Sequence, residues 1–384
     1  MPIEKIHIEQ FTELADLCPV LDVRSPSEYN HAHIPGAFSL PLFTDEERKI
    51  VGTTYKQKSR EAAIKTGLDL FGPKMRKMLE EAEAMVSNWK SAVSDSRTVD
   101  KIENSQQLDN RSLPTVRSSL TAKCVLVHCW RGGMRSAGVA WLLDLYGFKV
   151  YTLIGGYKAY RNHVLQTFNK SYNFNILGGY TGSGKTIVLK ELEKSGEQMI
   201  DLEALASHKG SAFGAIAQPA QPSQEMFENL LGYELRKKSA VFANNASPGS
   251  IWLEDESQRI GLINAPQSFW EKMRRSPVYF MEIPFEKRLI YVVDCYGKLD
   301  KEKMVNAIIR IRKRLGGLET KTAINFLLEN NIEECFRILL KYYDKYYLKG
   351  LNGREDLHTL INTIVCEDIC AVANAQAILA YKKP

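Results

Sequence analysis

Over roughly the first 170 residues, short apolar runs alternate with stretches of helical spacing. Residues 1–18 read as a strand and a helix feeding Pro19-Val20-Leu21-Asp22-Val23, an apolar run that stops at Arg24 and the turn residues Ser25-Pro26-Ser27. Glu28-Tyr29 and the stretch from His31 to Gly36 carry the chain through a helix and a turn into a second run, Ala37-Phe38-Ser39-Leu40-Pro41-Leu42. Cys124-Val125-Leu126-Val127-His128 is β-rich and short enough for a buried parallel strand. From Ala137 the apolar spacing is helical and ends at a glycine, and Val150-Tyr151-Thr152-Leu153 is a further strand. Strands alternating with helices predict an α/β unit with a mostly parallel sheet.

Two stretches interrupt this pattern. Gly52 through Gly67 to Phe71-Gly72-Pro73 predicts a helix with turns, and residues 87–120 turn polar with few apolar anchors, predicting a loop or mobile insertion. Gly155-Gly156-Tyr157-Lys158-Ala159-Tyr160-Arg161 opens a helix that runs out near Asn169-Lys170-Ser171, which divides the chain into a first domain at 1–168 and a second at 174–384. The second begins with the apolar strand Phe174-Asn175-Ile176-Leu177, a glycine-rich loop and the helix Ile187 to Lys194. Met199-Ile200-Asp201 and Ser250-Ile251-Trp252-Leu253-Glu254-Asp255 are strands that end in acids, and a loop at residues 210–224 is placed to close over a ligand. The tail, 336–348 and then 356–380, reads as helical, with Tyr342, Tyr343, Tyr346 and Tyr347 as packing residues.

Candidate chemistry lies in two loops. The first is Cys129-Trp130-Arg131-Gly132-Gly133-Met134-Arg135-Ser136, at a strand-to-helix turn. A loop so placed curls backbone N–H groups toward the sulfur, the following helix adds its positive end, and Arg131 and Arg135 add two charges. Each effect lowers the thiol pKa below the ~8.5 of a free cysteine and favours a reactive thiolate over a packed structural thiol. The second is Gly179-Tyr180-Thr181-Gly182-Ser183-Gly184-Lys185-Thr186, a Walker A pattern in its strand-loop-helix context. Its amides wrap phosphate oxygens, Lys185 neutralises them and the Thr186 hydroxyl suits Mg²⁺. Asp201, Glu254 and Asp255 are candidates for Mg²⁺ or acid/base support, with solvated strand ends as the equal alternative.

Composition adds bounds rather than identity. The 51 Lys and Arg against 45 Asp and Glu leave +6, compatible with a polyanionic partner without requiring one. Arg274, Arg275, Arg310, Arg312, Lys313 and Arg314 are either solvated helix faces or phosphate contacts. The acids in the opening MPIEKIHIEQF argue against a secretory signal, and no apolar run approaches the ~20 residues of a membrane helix, so a cytoplasmic protein is expected. Seven scattered cysteines do not suggest a disulfide framework. Cys366 and Cys370 lack the further ligands of a zinc site, so no dedicated protein metal site is expected.

Leu21-Asp22-Val23-Arg24, Glu28, His33-Ile34-Pro35-Gly36-Ala37 and the Cys129 loop resemble a rhodanese, whose cysteine carries sulfur or selenium as a persulfide or perselenide. The Cys-x5-Arg spacing from Cys129 to Arg135 is one residue longer than the usual rhodanese loop and matches cysteine phosphatases and arsenate reductases, which keeps a sulfurtransferase, or a phosphatase or arsenate reductase module, coupled to a P-loop kinase as the alternative. A nucleotide-sensing tRNA-binding protein without catalysis is a third reading. The second domain adds Asp201-Leu202-Glu203, His208 to Gly214, Gln221-Pro222-Ser223-Gln224, Phe227-Glu228-Asn229 and Glu254-Asp255-Glu256-Ser257. With the Cys129 loop and Gly155 to Ala159, these resemble the tRNA 2-selenouridine synthase family over nearly the whole chain. The resemblance implies a rhodanese-like domain followed by a P-loop domain with a helical C-terminal region. It further implies selenium replacing sulfur in the wobble 2-thiouridine of tRNAs for Lys, Glu and Gln, with geranyl diphosphate and selenophosphate as cosubstrates and Mg²⁺ as a candidate ion. On that basis Cys129 handles selenium, its loop holds selenophosphate or a perselenide, and residues 179–186 bind the diphosphate of the geranyl donor.

Overall fold

Each apolar run becomes a strand in one of two all-parallel sheets. The computed structural model describes residues 3–95, 123–243 and 249–382, and the chain divides into units Met1–Leu165 and Gln166–Pro384.

The first unit runs β1 (Glu4–Ile6), α1 (Ile8–Leu14), β2 (Val20–Asp22), α2 (Pro26–His31), β3 (Phe38–Ser39), α3 (Asp45–Gln57), α4 (Arg60–Phe71), α5 (Met75–Asp95), β4 (Cys124–His128), α6 (Met134–Leu145) and β5 (Lys149–Leu153), and α7 (Gly156–Thr167) leads out of it. Its sheet has the order β1-β5-β4-β2-β3, every pair parallel. All five residues of β4 are buried, as expected of a central parallel strand covered on both faces. Leu21, Val125, Val127, Val139 and Leu143 form its core, and Cys129 joins that core directly beyond β4.

Two expectations for this unit are corrected. The stretch from Gly52 to Pro73 holds parts of two helices rather than one, because the Ser59 side chain accepts from Ala62 N–H and starts α4 afresh two residues after α3 ends. Residues 87–95 of the expected loop are the last turns of α5, whose Met78, Ala82 and Val86 are buried at a spacing of four. Residues 96–122 of that expectation lie outside the described residues.

The second unit runs β6 (Phe174–Gly179), α8 (Lys185–Lys194), β7 (Gln198–Ile200), α9 (Leu202–Leu205), α10 (Gln224–Ala243), β8 (Ile251–Glu254), β9 (Arg259–Ile260), β10 (Ile263–Asn264), α11 (Gln267–Arg274) and β11 (Val278–Glu282). It continues through α12 (Phe285–Tyr296), α13 (Lys301–Leu315), α14 (Gly317–Leu328), α15 (Ile332–Asn352), α16 (Leu357–Leu360), β12 (Ile361–Val365) and α17 (Ala371–Lys382). The sheet order is β12-β11-β6-β8-β7, again parallel throughout. Helices α12 to α15 pack a core of their own around Leu289, Ile308, Leu327 and Leu339. The tail is not wholly helical. Ile361-Asn362-Thr363-Ile364-Val365 is rich in β-branched residues and pairs with all of β11 as the edge strand β12. No helix of the described residues is long and apolar enough to cross a membrane.

The cysteine expectation also changes, because Cys18 and Cys124 form a disulfide with Cα atoms 5.8 Å apart. Cys18 lies just before β2 and Cys124 opens β4, and β2 and β4 are neighbours. The sequence separation of 106 residues hides this proximity. Closing so long a loop restrains the unfolded chain, and reduction is expected to destabilise the first unit by about 2–4 kcal/mol. Calorimetric scans with and without reductant measure this, and a Cys18→Ser variant should show no response to reductant.

Candidate functional site

The first half of the Cys129 loop is held through its backbone. Tyr157 N–H donates to Cys129 O at 2.8 Å and Lys158 N–H donates to Trp130 O at 3.0 Å. Two carbonyls of the loop are therefore turned toward the start of α7. The approach is close enough that Gly156, at φ +60°, has no room for a Cβ, which would overlap Cys129 O and Gly132 N. The glycine pair before Tyr157 is thus a contact surface for the thiol loop. Beneath it, Arg24 makes a two-oxygen ion pair with buried Asp22 and lies 3.8 Å from the centre of the Tyr157 ring.

With those carbonyls tied back, Arg131 and Ser136 backbone N–H groups face the Cys129 sulfur, and Ser136 Oγ lies 3.3 Å from it. Burial alone would raise the thiol pKa. The Ser136 hydroxyl and N–H, Arg135 and the Arg131 N–H outweigh burial and bring it below the ordinary value. Arg135 is itself fixed, donating to Glu28 Oε2 at 2.7 Å, while Arg48 lies 3.0 Å from the same oxygen. Burial works against the Glu28 charge, but the hydrogen bond and charge of Arg135, the Ser25 N–H and the charge of Arg48 together outweigh it and hold this carboxyl at about 2. Trp130, Arg131, Gly132, Gly133 and Met134 are exposed around the sulfur.

In the second unit, β6 ends at Gly179 and α8 begins at Lys185, so residues 180–184 bridge a strand and a helix N-terminus. Lys185 Nζ donates to Gly179 O at 3.1 Å, and Gly182 turns at φ +80° against Val292, where a Cβ would not fit. Two contacts from distant sequence complete the loop. Tyr347 Oη accepts from Gly179 N–H at 3.0 Å and donates to Asp255 Oδ2 at 2.8 Å. Arg288, buried and paired with Asp344, donates to Thr181 O at 3.0 Å.

The candidate acids separate. Asp255 turns to Tyr347 and to an ion pair with buried Arg354, and Asp201 caps α9 by accepting from Ala204 N–H at 2.8 Å. Glu254 is buried and meets Glu203 and Glu256, with ligand oxygens of the three within 4.8 Å of one another. The sequence reading expected no dedicated metal site and did not single out Glu203 or Glu256 as ligands, because Glu203 lies about fifty residues before the Glu254–Glu256 pair and only the fold brings them together. Burial first, then mutual repulsion, pushes Glu203 and Glu256 up, the latter to about 7, and Glu254 moves the same way. Lys185 and the Thr186 hydroxyl oppose this at Glu254, whose Oε1 has no hydrogen-bond partner among the described residues. A hard divalent cation matches that donor set: three carboxylates and a hydroxyl beside a phosphate loop. Bound there, it would be held by Glu203, Glu254, Glu256 and Thr186.

The loop at residues 210–224 is pinned rather than free, because Gln221 donates to Ala206 O and Ile260 O and accepts from Leu262 N–H. Among the basic candidates, Arg274 donates to Gly350 O and Arg310 to Ala212 O. Arg275, Arg312, Lys313 and Arg314 are exposed, the last three in the final turn of α13.

Comparison with known proteins finds a family match in each unit. Residues 172–364 match the family described as tRNA 2-selenouridine synthase AAA domain, and residues 7–68 match the rhodanese-like domain. The tRNA 2-selenouridine synthase of Sulfurovum sp. is 32% identical over 362 residues, covering 86% of this chain and 87% of that protein. The protein of the same name from Bdellovibrio bacteriovorus is 32% identical over 378 residues, covering 88% and 89%. That from Pseudomonas savastanoi pv. phaseolicola is 32% identical over 356 residues, covering 87% and 85%.

Two measurements test this geometry. Iodoacetamide labelling of Cys129, followed by peptide mass mapping, should have its pH midpoint below the ~8.5 of a free thiol, and Ser136→Ala should move it upward. In the second unit a carboxyl raised to about 7 stabilises the fold at low pH and loses that contribution as pH rises through 7. In chelator the unfolding temperature should therefore fall from about pH 5 to 8, and Mg²⁺ or Glu256→Gln should flatten the decline.

Proposed function

Because the chain belongs to the tRNA 2-selenouridine synthase family, we propose that it converts wobble 2-thiouridine to 2-selenouridine in the tRNAs for Lys, Glu and Gln. The route is an S-geranyl-2-thiouridine intermediate, with geranyl diphosphate and selenophosphate as cosubstrates, in the cytoplasm. The observation that carries this reading is a thiol with favoured ionisation in an anion-holding loop, on the same chain as a phosphate loop lined by carboxylates.

In the first step the sulfur attacks C1 of the geranyl group. The S–C bond forms, the C–O bond to diphosphate breaks, and the thiouridine N3 proton is lost. Lys185, Thr186 and the amides of residues 179–184 hold the departing diphosphate. Glu203, Glu254 and Glu256 would hold Mg²⁺ beside this loop, where a bound ion would add charge neutralisation of the diphosphate.

In the second step selenium replaces the alkylated sulfur. The C2–Se bond forms, the C2–S bond breaks, geranyl thiol leaves with a proton, and water cleaves the Se–P bond to give phosphate. No electrons are gained or lost. Alkylation makes sulfur a better leaving group, which is the chemical reason for the first step. Cys129 handles the incoming selenium, while Arg131, Arg135 and the loop N–H groups hold the phosphate end of selenophosphate.

Nucleoside mass spectrometry of thiolated tRNA incubated with both cosubstrates tests the reading. Wild type should give 2-selenouridine, and Cys129→Ala should accumulate S-geranylthiouridine. Lys185→Ala should slow geranylation by roughly a hundredfold. Unchanged thiouridine with wild type overturns the proposal, and full geranylation by Lys185→Ala overturns the assignment of the phosphate loop.

A further inference from the structure

The first unit holds a cavity of about 810 Å³ between α3, α4 and α6. Its wall is mostly apolar, from side chains such as Phe43, Ile64, Leu68, Phe71 and Trp141, and basic groups stand among them at Arg48, Lys49 and Lys56. Met134 and Arg135, the last residues of the Cys129 loop before Ser136, form part of the same wall. The cavity therefore adjoins the thiol site.

Three glycines line it, one from each helix: Gly52 on α3, Gly67 on α4 and Gly138 on α6. All three sit inside helices, where glycine is a poor choice, and none has a positive φ that would require it. A Cβ at Gly52 would meet nothing within 4 Å, one at Gly138 only Phe71 at 4.0 Å, and one at Gly67 only Phe43 at 3.5 Å. Backbone geometry and neighbouring atoms both permit a side chain at these positions. What its absence preserves is the width of the cavity. Several wall residues, among them Leu68, Met134 and Trp141, are also left exposed as large apolar side chains, as is usual at a ligand site.

We infer that this cavity receives the geranyl chain of the S-geranylated thiouridine while the Cys129 loop acts on its base. This rests on the function proposed above and adds where the chain goes. A branched, unsaturated ten-carbon chain offers no hydrogen-bonding group, so an apolar wall suits it. The nucleotide to which it is tethered is polar and must reach Cys129, so the cavity has to open at the thiol loop. The wall shared through Met134 and Arg135 meets that requirement, and the basic groups at the margin suit the RNA phosphates beside the modified base. The chain's burial holds the base in place and leaves an apolar compartment for the departing geranyl thiol.

The test uses the full chain and anticodon stem-loop RNAs carrying thiouridine, S-geranylthiouridine or an S-dimethylallyl analogue with a five-carbon chain. Fluorescence anisotropy gives affinities, and nucleoside mass spectrometry gives conversion with selenophosphate. Wild type should bind the geranylated RNA about tenfold or more tighter than the thiouridine RNA. Gly138→Leu and, independently, Gly52→Leu should erase that preference while keeping wild-type affinity for thiouridine RNA, and should turn over the five-carbon substrate better than the ten-carbon one. An unchanged preference in both variants, or an equal loss on all three RNAs in both, overturns the inference. So does loss of geranyl diphosphate use with intact conversion of ready-made geranylated RNA, which gives the cavity to the donor instead. A wild type that binds geranylated RNA preferentially but never forms 2-selenouridine would count against the proposed function and not against the cavity.

Discussion

A parallel strand buried on both faces pairs its peptide groups with its neighbours until its carboxyl end, where the chain must leave the sheet. Both candidate loops occupy that position on interior strands. β4 lies between β5 and β2, and β6 lies between β11 and β8. The strands are so thoroughly covered that the loops inherit a fixed starting point. Everything chemical in the molecule is built outward from those two strand ends, and a helix N-terminus follows each loop, α6 after one and α8 after the other.

From that common frame the two loops balance charge in opposite ways. Around Cys129 the local excess is positive, and Glu28 restrains it by pairing with both Arg135 and Arg48. The carboxylate fixes the direction of the guanidinium that faces the sulfur. Around Lys185 the excess is negative, because Glu203, Glu254 and Glu256 crowd one buried volume. One loop is poised for an anion alone, the other for an anion accompanied by a cation.

The strand-loop-helix setting of both centres was legible because each is contiguous: Cys129 to Ser136 and Gly179 to Thr186 carry their chemistry and their glycines within a few residues. The two parallel sheets were legible from apolar runs of strand length. What escaped reading is what the fold brings together from afar. Glu28 and Arg135 are 107 residues apart, and Tyr347 and Gly179 are 168 apart. Tyr347 looked like one more packing tyrosine on α15, since a helical stripe of aromatic residues has that appearance whether or not one hydroxyl reaches a loop. β12 was missed because the helical spacing around it absorbed five residues, four of them β-branched, whose branching alone marked a strand. Gly52 and Gly67 fell in a stretch expected to hold turns, and only the fold places them inside helices that line a cavity.

The hydrogen bonds of Tyr347 set the order in which the protein can become complete during synthesis. Gly179 and Asp255 emerge from the ribosome well before the tyrosine that joins them, and β12, the edge of the same sheet, follows later still. The phosphate loop is thus written 168 residues before the tyrosine that finishes it. A nascent chain carries the full Walker A sequence well before the contacts that hold the loop in its final shape exist, so a phosphate ligand would meet the finished loop only after Tyr347 has been made and folded back.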